Sequence, residues 1–417
     1  MMSLKFGFAT ALLFLGSSLA FAETIKIGLN YDKTGTYSVQ GLDQFQAANM
    51  AAEEINLAGG ILGKQIDLVY ADSQANASLS ADNVKKMIEK DGIKMVFGGT
   101  ASSVAIAVGK VANAAKIPFF GTLTYSTETT GEQGQKYVFR ECYDSYAGAN
   151  VLKDYLSAMK GKKFFYITAR YTWGYTTEEQ IRRISGTGDI NTHKRVYTPF
   201  PNATPQDFKD AVKAAIEAKP DVLVLVVFGQ DMAAALKEAY VQGLKKKVAA
   251  VVVPNITLGM AESAGPEAME GVVGAIPWMY QLPTLKNYPR GKQFVDKFVL
   301  RYNRYPDTSG ASAYTILYEY KTAVERAKSF DGPKVIAALE GHEYTSLKDK
   351  QYWRSFDHQS IQTVYAVKVK SAAHIKASKF QQDYFDIIGS MSGEQAFIPK
   401  EEWEANRKKA NKPTVLD

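Results

Sequence analysis

Ile93 to Thr124 reads IKMVFGGTASSVAIAVGKVANAAKIPFFGTLT, and the order of residue types spells strand, turn, helix, strand. The apolar run Ile93 to Phe97 is short and β-rich, and Gly98-Gly99 breaks it. Ser102 and Ser103 stand where a helix N-cap belongs, and small or apolar residues follow without a charge as far as Lys110. The first turn of such a helix leaves backbone N–H groups unpaired at the positive end of the macrodipole. A carboxylate or phosphate can dock there against two serine hydroxyls, so the stretch predicts an anion seat.

Working outward, 417 residues with 46 % hydrophobic composition suffice for two full cores. The start has Lys5 ahead of the apolar block Phe6 to Leu19 and ends Ala20-Phe21-Ala22 before Glu23. That pattern predicts a secretory signal over residues 1–22 and a periplasmic chain cleaved after Ala22. The one cysteine, Cys142, excludes an intramolecular disulfide and a thiolate metal site. Lys and Arg total 50 against 43 Asp and Glu, and the excess is scattered. The runs Lys245-Lys246-Lys247 and Arg407-Lys408-Lys409 follow helical patterns and read as solvated faces, so no nucleic-acid partner is expected.

Strand and helix alternate along most of the chain. Thr24 to Asn30 is a first strand, Gln40 to Ala58 an amphipathic helix, Gln65 to Ala71 a strand and Ser78 to Lys90 a helix. A second set begins at Lys163 to Thr168, continues through helices at Thr176 to Ile184 and Pro205 to Ala218, and contains the apolar strand Asp221 to Phe228. A helix over Asp231 to Gln242 and a strand over Val248 to Val253 follow. Such alternation implies parallel sheets covered on both faces, with ligands near the carboxyl ends of the strands. Two lobes of this plan place a cleft between two rows of strand ends. Ile361 to Lys370 alternates with period two and predicts a half-exposed strand, and Trp403 falls on a charged helix expected at the surface.

The motifs, taken in order, resemble a periplasmic substrate-binding protein of the branched-chain amino acid (leucine/isoleucine/valine) type, the receptor of an ABC importer. The resemblance runs from Glu23 to about Lys370. It rests on IKIGLNYDKTGTYSVQG at the mature start, AAEEINLAGGILGK, VFGGTASS, IPFFGTLT and the YTWGY segment of the second lobe. It implies an α/β Venus flytrap of the type I periplasmic binding protein fold, each lobe a Rossmann-like sandwich, joined by three crossovers near Cys142 to Tyr146, Ile276 to Tyr280 and Phe356 to Ile361. Lobe 1 is then 23–143 plus 281–355, and lobe 2 is 144–280 plus 356–417.

The resemblance also implies the contacts. The ligand carboxylate is held at Ser102 by hydroxyl and backbone N–H, beside Ser103, with Thr100 and Ala101 lining the approach and Leu123, Thr124 and Tyr125 next. Gln40 takes the place of an aromatic wall residue, and Tyr37 reaches the same space. From lobe 2, Trp173 stands at the family's tyrosine position, with Phe228 and Gly229 near its second aromatic contact. Trp278 and Tyr280 also lie close to expected cleft positions. The partners implied are a small ligand and a membrane permease, with the receptor a monomer.

One departure bears on the ligand. The loop after the strand Val248 to Val253 reads VPNIT, with Asn255 as its candidate contact and no carboxylate to pair with an α-ammonium. Either Asp231 or Asp144 substitutes, or the ligand has no amine, because an unpaired buried charge costs several kcal/mol. The expected ligand is therefore a small hydrophobic carboxylate, an aromatic acid or a hydrophobic amino acid. The four histidines, His193, His342, His358 and His374, form no H-x-x-x-H pair, and neither a G-x-S-x-G elbow nor a Walker loop is present. No catalysis, metal or cofactor is expected, and hydrolysis is a remote alternative. A periplasmic sensor of the same fold is the nearer one.

Overall fold

The computed structural model describes residues 23–417, so the expected signal segment lies outside the described residues. The first lobe is a parallel sheet of β1 (Thr24–Tyr31), β2 (Gln65–Asp72), β3 (Val96–Gly98), β4 (Phe119–Gly121) and β5 (Val138–Arg140), in the order β2-β1-β3-β4-β5. Helices α1 (Ser38–Leu57), α2 (Ala77–Lys86) and α3 (Ser102–Ala114) make the crossovers. Ile25, Ile27 and Leu29 of β1 are buried, as a strand paired on both edges and covered on both faces requires.

The second lobe starts with β6 (Phe164–Ala169), β7 (Arg195–Thr198), β8 (Val222–Val226), β9 (Ala250–Asn255) and β10 (Val273–Ile276), all paired in parallel. The chain then returns to the first lobe through helices Pro289–Tyr302 and Thr308–Ala327, the latter packed along α1. It next forms a small antiparallel sheet of β11 (Glu343–Tyr344), β12 (Gln351–Trp353) and β13 (Ser360–Ile361). Finally β14 (Val364–Val369) and β15 (Phe385–Met391) join the second sheet antiparallel, in the order β15-β14-β10-β9-β8-β6-β7. The chain therefore passes between the sheets after β5, after β10 and after β13.

Several expectations from the sequence are corrected. The strand expected to be half-exposed, β14, lies between β10 and β15 and exposes only Lys368. The strand is covered because α4 (Ser145–Val151) packs against it and β15, which alternation did not reveal, takes the edge. The helix expected from Thr176 begins at Thr172, and the strand expected to end at Val253 runs on to Asn255.

The C-terminal helix Lys400–Lys409 is not a solvated face throughout. Trp403 is buried with its indole N–H donating to the Thr130 carbonyl at 2.9 Å, and Arg407 is buried with Nη1 donating to the carbonyls of Gly131 and Gly134. The backbone carbonyl of Asp417 accepts from the Lys136 amide at 3.1 Å. This tail, expected with lobe 2, thus reaches the 130–136 segment beside the five-stranded sheet. Charged residues dominate its composition and mask the Trp403/Arg407 pair, one helical turn apart, that makes the contact.

Candidate functional site

The carboxyl ends of β1, β3 and β4 converge on the start of α3. Gly98 has φ +118, and a Cβ there would stand 2.3 Å from the Asn30 carbonyl oxygen, so only glycine lets β3 turn this close to β1. The helix starts one residue earlier than the serine pattern predicts. Ala101 occupies the N-cap without a side-chain bond, and Ser102 is the first helical residue. The Ser102 hydroxyl instead accepts from the Ser126 amide at 3.0 Å, which leaves its own proton and the first-turn amides of α3 to donate elsewhere. Ser103 follows, half-buried, and Ala101, Thr100 and Leu123 are buried around the turn.

A set of buried polar groups lies on the same lobe. Gln44 Nε2 donates to Thr100 Oγ1 at 3.4 Å, and Asp32 Oδ1 accepts from Ser73 Oγ and the Ala75 amide, each at 2.7 Å. Burial pushes the Asp32 carboxyl up despite these bonds. The side-chain amide of Asn30, Oε1 of Gln40 and Gln44, the Thr124 hydroxyl and the Tyr125 hydroxyl are all buried without a protein partner. Groups of this kind are rare in folded interiors, and here they come from the end of β1, from α1 and from the loop after β4, a place for polar ligand atoms or water. Asn30, Asp32 and Gln44 were not singled out in the sequence; the carboxyl end of β1 was the available signal.

The second lobe meets this wall with aromatic rings. Phe228 lies 5.5 Å from Tyr37, 5.8 Å from Tyr125 and 5.8 Å from Trp173, ring centre to ring centre, each edge to face. Tyr171 and Phe200, which the sequence did not flag, stack at 3.8 Å beside Trp173 and Tyr37. Edge-to-face pairs contribute about 0.5–1.5 kcal/mol each beyond their burial, so the rings favour the closed arrangement. Hydrogen bonds cross between the lobes as well. The hydroxyls of Tyr37 and Tyr171 lie 3.0 Å apart, Gln40 Nε2 donates to Thr257 Oγ1 at 3.3 Å, and the Gln230 amide donates to the Thr36 carbonyl at 3.0 Å. The amides of Leu258 and Gly259 donate to Asp307 at 3.0 and 2.8 Å.

Not every candidate joins this group. Trp278 packs on Phe294 and donates to the Leu347 carbonyl, and Tyr280 stacks on Tyr305 at 3.7 Å, because the chain after β10 runs away toward helix Pro289–Tyr302. Arg170 is exposed over the Tyr197 ring. Asn255 is a supporting residue. Its Oδ1 accepts from Trp173 Nε1 at 3.2 Å and its Nδ2 donates to Tyr143 Oη at 2.8 Å, which holds the indole in place.

The two carboxylates weighed against an ammonium are both engaged. Asp144 caps α4 through the Ala147 amide and pairs with Arg140 at 3.0 Å. Asp231 accepts from the Thr36 hydroxyl at 2.9 Å across the interlobe contact, and burial pushes its carboxyl from 3.8 up to about 7. A carboxyl raised in the folded protein binds its proton more tightly there than in the unfolded chain. Its contribution to stability is complete below 3.8 and is lost as pH rises through about 7. Asp231→Asn is expected to flatten that stretch of the stability profile, read as thermal midpoints between about pH 4 and 8. An unaltered slope in the variant would assign the dependence to another group.

A receptor that closes two α/β lobes around a polar seat and an aromatic wall is a solute-binding protein. The chain matches the periplasmic binding protein family over residues 24–374 and belongs to it. It is 25 % identical over 416 residues to the Leu/Ile/Val-binding protein homolog 4 of Brucella melitensis, covering 96 % of this chain and 97 % of that one. A periplasmic binding protein from Burkholderia mallei superposes with a TM-score of 0.81 at 26 % identity, covering 91 % of this chain and 98 % of that chain. The ABC-transporter solute-binding protein of Rhodopseudomonas palustris BisB5, in complex with 3,4-dihydroxybenzoic acid, shares the fold with a TM-score of 0.76 at 19 % identity. It covers 89 % of this chain and 98 % of that chain. The protein is thus a periplasmic binding protein and not an enzyme.

Proposed function

We propose that the protein captures a small hydrophobic carboxylate, an aromatic acid or a branched-chain or other hydrophobic amino acid, and delivers it to the membrane permease of an ABC importer. It does so as a monomer with its signal segment removed after Ala22. The observation that carries this reading is the Phe228 ring of the second lobe packed on Tyr37 and Tyr125 of the first, with Ser102 at the start of α3 accepting from the Ser126 amide beside Tyr125. Unpaired amides and a serine hydroxyl suit an anionic head, and the rings suit an apolar body. The Brucella Leu/Ile/Val-binding protein homolog and the Rhodopseudomonas neighbour in complex with 3,4-dihydroxybenzoic acid represent these same two ligand classes.

A thermal-shift screen with leucine, isoleucine and valine against benzoate and 4-hydroxybenzoate tests the reading, and a raised midpoint with one of the two sets is expected. No stabilisation by either set would overturn it. Ser102→Ala is expected to weaken binding of the stabilising ligand by about 1–3 kcal/mol, read by calorimetry, because a charged group loses a hydrogen bond. Equal affinity in the variant would remove Ser102 from the seat.

A further inference from the structure

We propose that Lys348 is the positioning residue of the hinge, an ammonium that ties the three interlobe crossovers into one unit. Lys348 lies between β11 and β12, in the small sheet of the first lobe, and its side chain is 4 % exposed. Its Nζ donates to the Pro277 carbonyl in the second crossover at 2.7 Å. It also donates to Gln362 Oε1 at 3.3 Å and to the Thr363 carbonyl, both in the third crossover. An ammonium has three protons, and all three are used here.

The first crossover is joined through Gln362, whose Nε2 donates to the Glu141 carbonyl at 2.6 Å. Gln359 adds a second stitch by donating to the Cys142 carbonyl at 2.8 Å. Burial pushes the ammonium down to about 8, and Asp349, whose Oδ1 lies 3.9 Å away, and the buried Glu141 offset part of that cost, with the Tyr365 ring 5.3 Å away. β10, which runs into the second crossover, and β14, which follows the third, already pair in the second sheet, and the ammonium adds to that ladder a tie from the small sheet of the first lobe. Held together, the crossovers bend as one hinge, and the lobes meet in the register that places Gly229 against Tyr37 and Thr257 against Gln40.

The inference rests on the closure reading of the site, yet its test needs no ligand, so its failure would leave carboxylate capture untouched. Spin labels at Lys85→Cys on the first lobe and Lys213→Cys on the second report the interlobe distance, while the buried Cys142 thiol stays unlabelled. Lys348→Met is expected to widen the distance distribution and shift its mean to longer values in the protein without added ligand. Gln362→Ala, which removes the Gln362 link to the first crossover and one of the three ammonium acceptors, is expected to widen it less. A folded Lys348→Met protein with the parent distribution would overturn the proposal. Should Lys348→Met fail to fold, the parent distribution in Gln362→Ala would overturn it, and a widened one would support it.

Discussion

Gly229→Ala is expected to hold the lobes apart and weaken binding of the stabilising carboxylate by about tenfold or more. Gly229 opens the helix Gly229–Val241 of the second lobe with φ +60. A Cβ there would stand 2.5 Å from Tyr37 Cδ1 and 2.6 Å from the Thr36 carbonyl oxygen, both on the first lobe. The ring can tilt, but the carbonyl is backbone and already accepts from the Gln230 amide. The methyl group therefore collides only when the cleft shuts. A left-handed backbone at a residue with a Cβ adds about 1–2 kcal/mol of strain in either state. Calorimetric titration reads the affinity and thermal unfolding reads the strain. Tight binding in a variant that unfolds earlier would show that the closed contact is dispensable.

Arg140→Met is expected to cost about 3–5 kcal/mol of stability, because it leaves a buried carboxylate without its partner. The guanidinium is 1 % exposed. It donates from Nη1 to the carbonyls of Thr124 and Ser126, and from Nη2 to the Thr130 hydroxyl at 2.8 Å and to Asp144 Oδ2 at 3.0 Å. It therefore fixes the segment after β4 that carries Leu123, Thr124 and Tyr125. Urea unfolding measures the loss. The double variant Arg140→Met/Asp144→Asn is expected to recover part of it, since no bare charge then remains. Equal losses in the single and double variants would mean that the carbonyls and not Asp144 set the cost.

Local rules made much of the seat legible. Gly98-Gly99 and the uncharged run after Ser103 place a strand end and a helix start from residues adjacent in the chain, and the structure moves that start by a single position. The same rules placed the helix of the second lobe at Thr176, four residues late, because its N-cap is Tyr171, a residue with no cap signal, and Trp173 came from the family resemblance alone. They did not find Asn30, Asp32 and Gln44. A polar residue at a strand end is ordinary until the neighbouring strand and helix close over it.

Alternation of apolar strands with amphipathic helices determined the class of fold, since a burial period of two or 3.6 is set by backbone geometry alone. The proposed anion seat was read from the residues that open α3. Which residues face each other was decided only by the tertiary structure. Asp144 is claimed by Arg140 and Asp231 by Thr36, while Trp403 is buried under a charged helix. Lys348 reaches the second and third crossovers, and the first only through Gln362. Apart from Arg140 and Asp144, four residues apart, these contacts join residues far apart in sequence, so no local period records them. They exist because a charge or hydrogen-bonding group removed from water must find a partner wherever the closed fold supplies one.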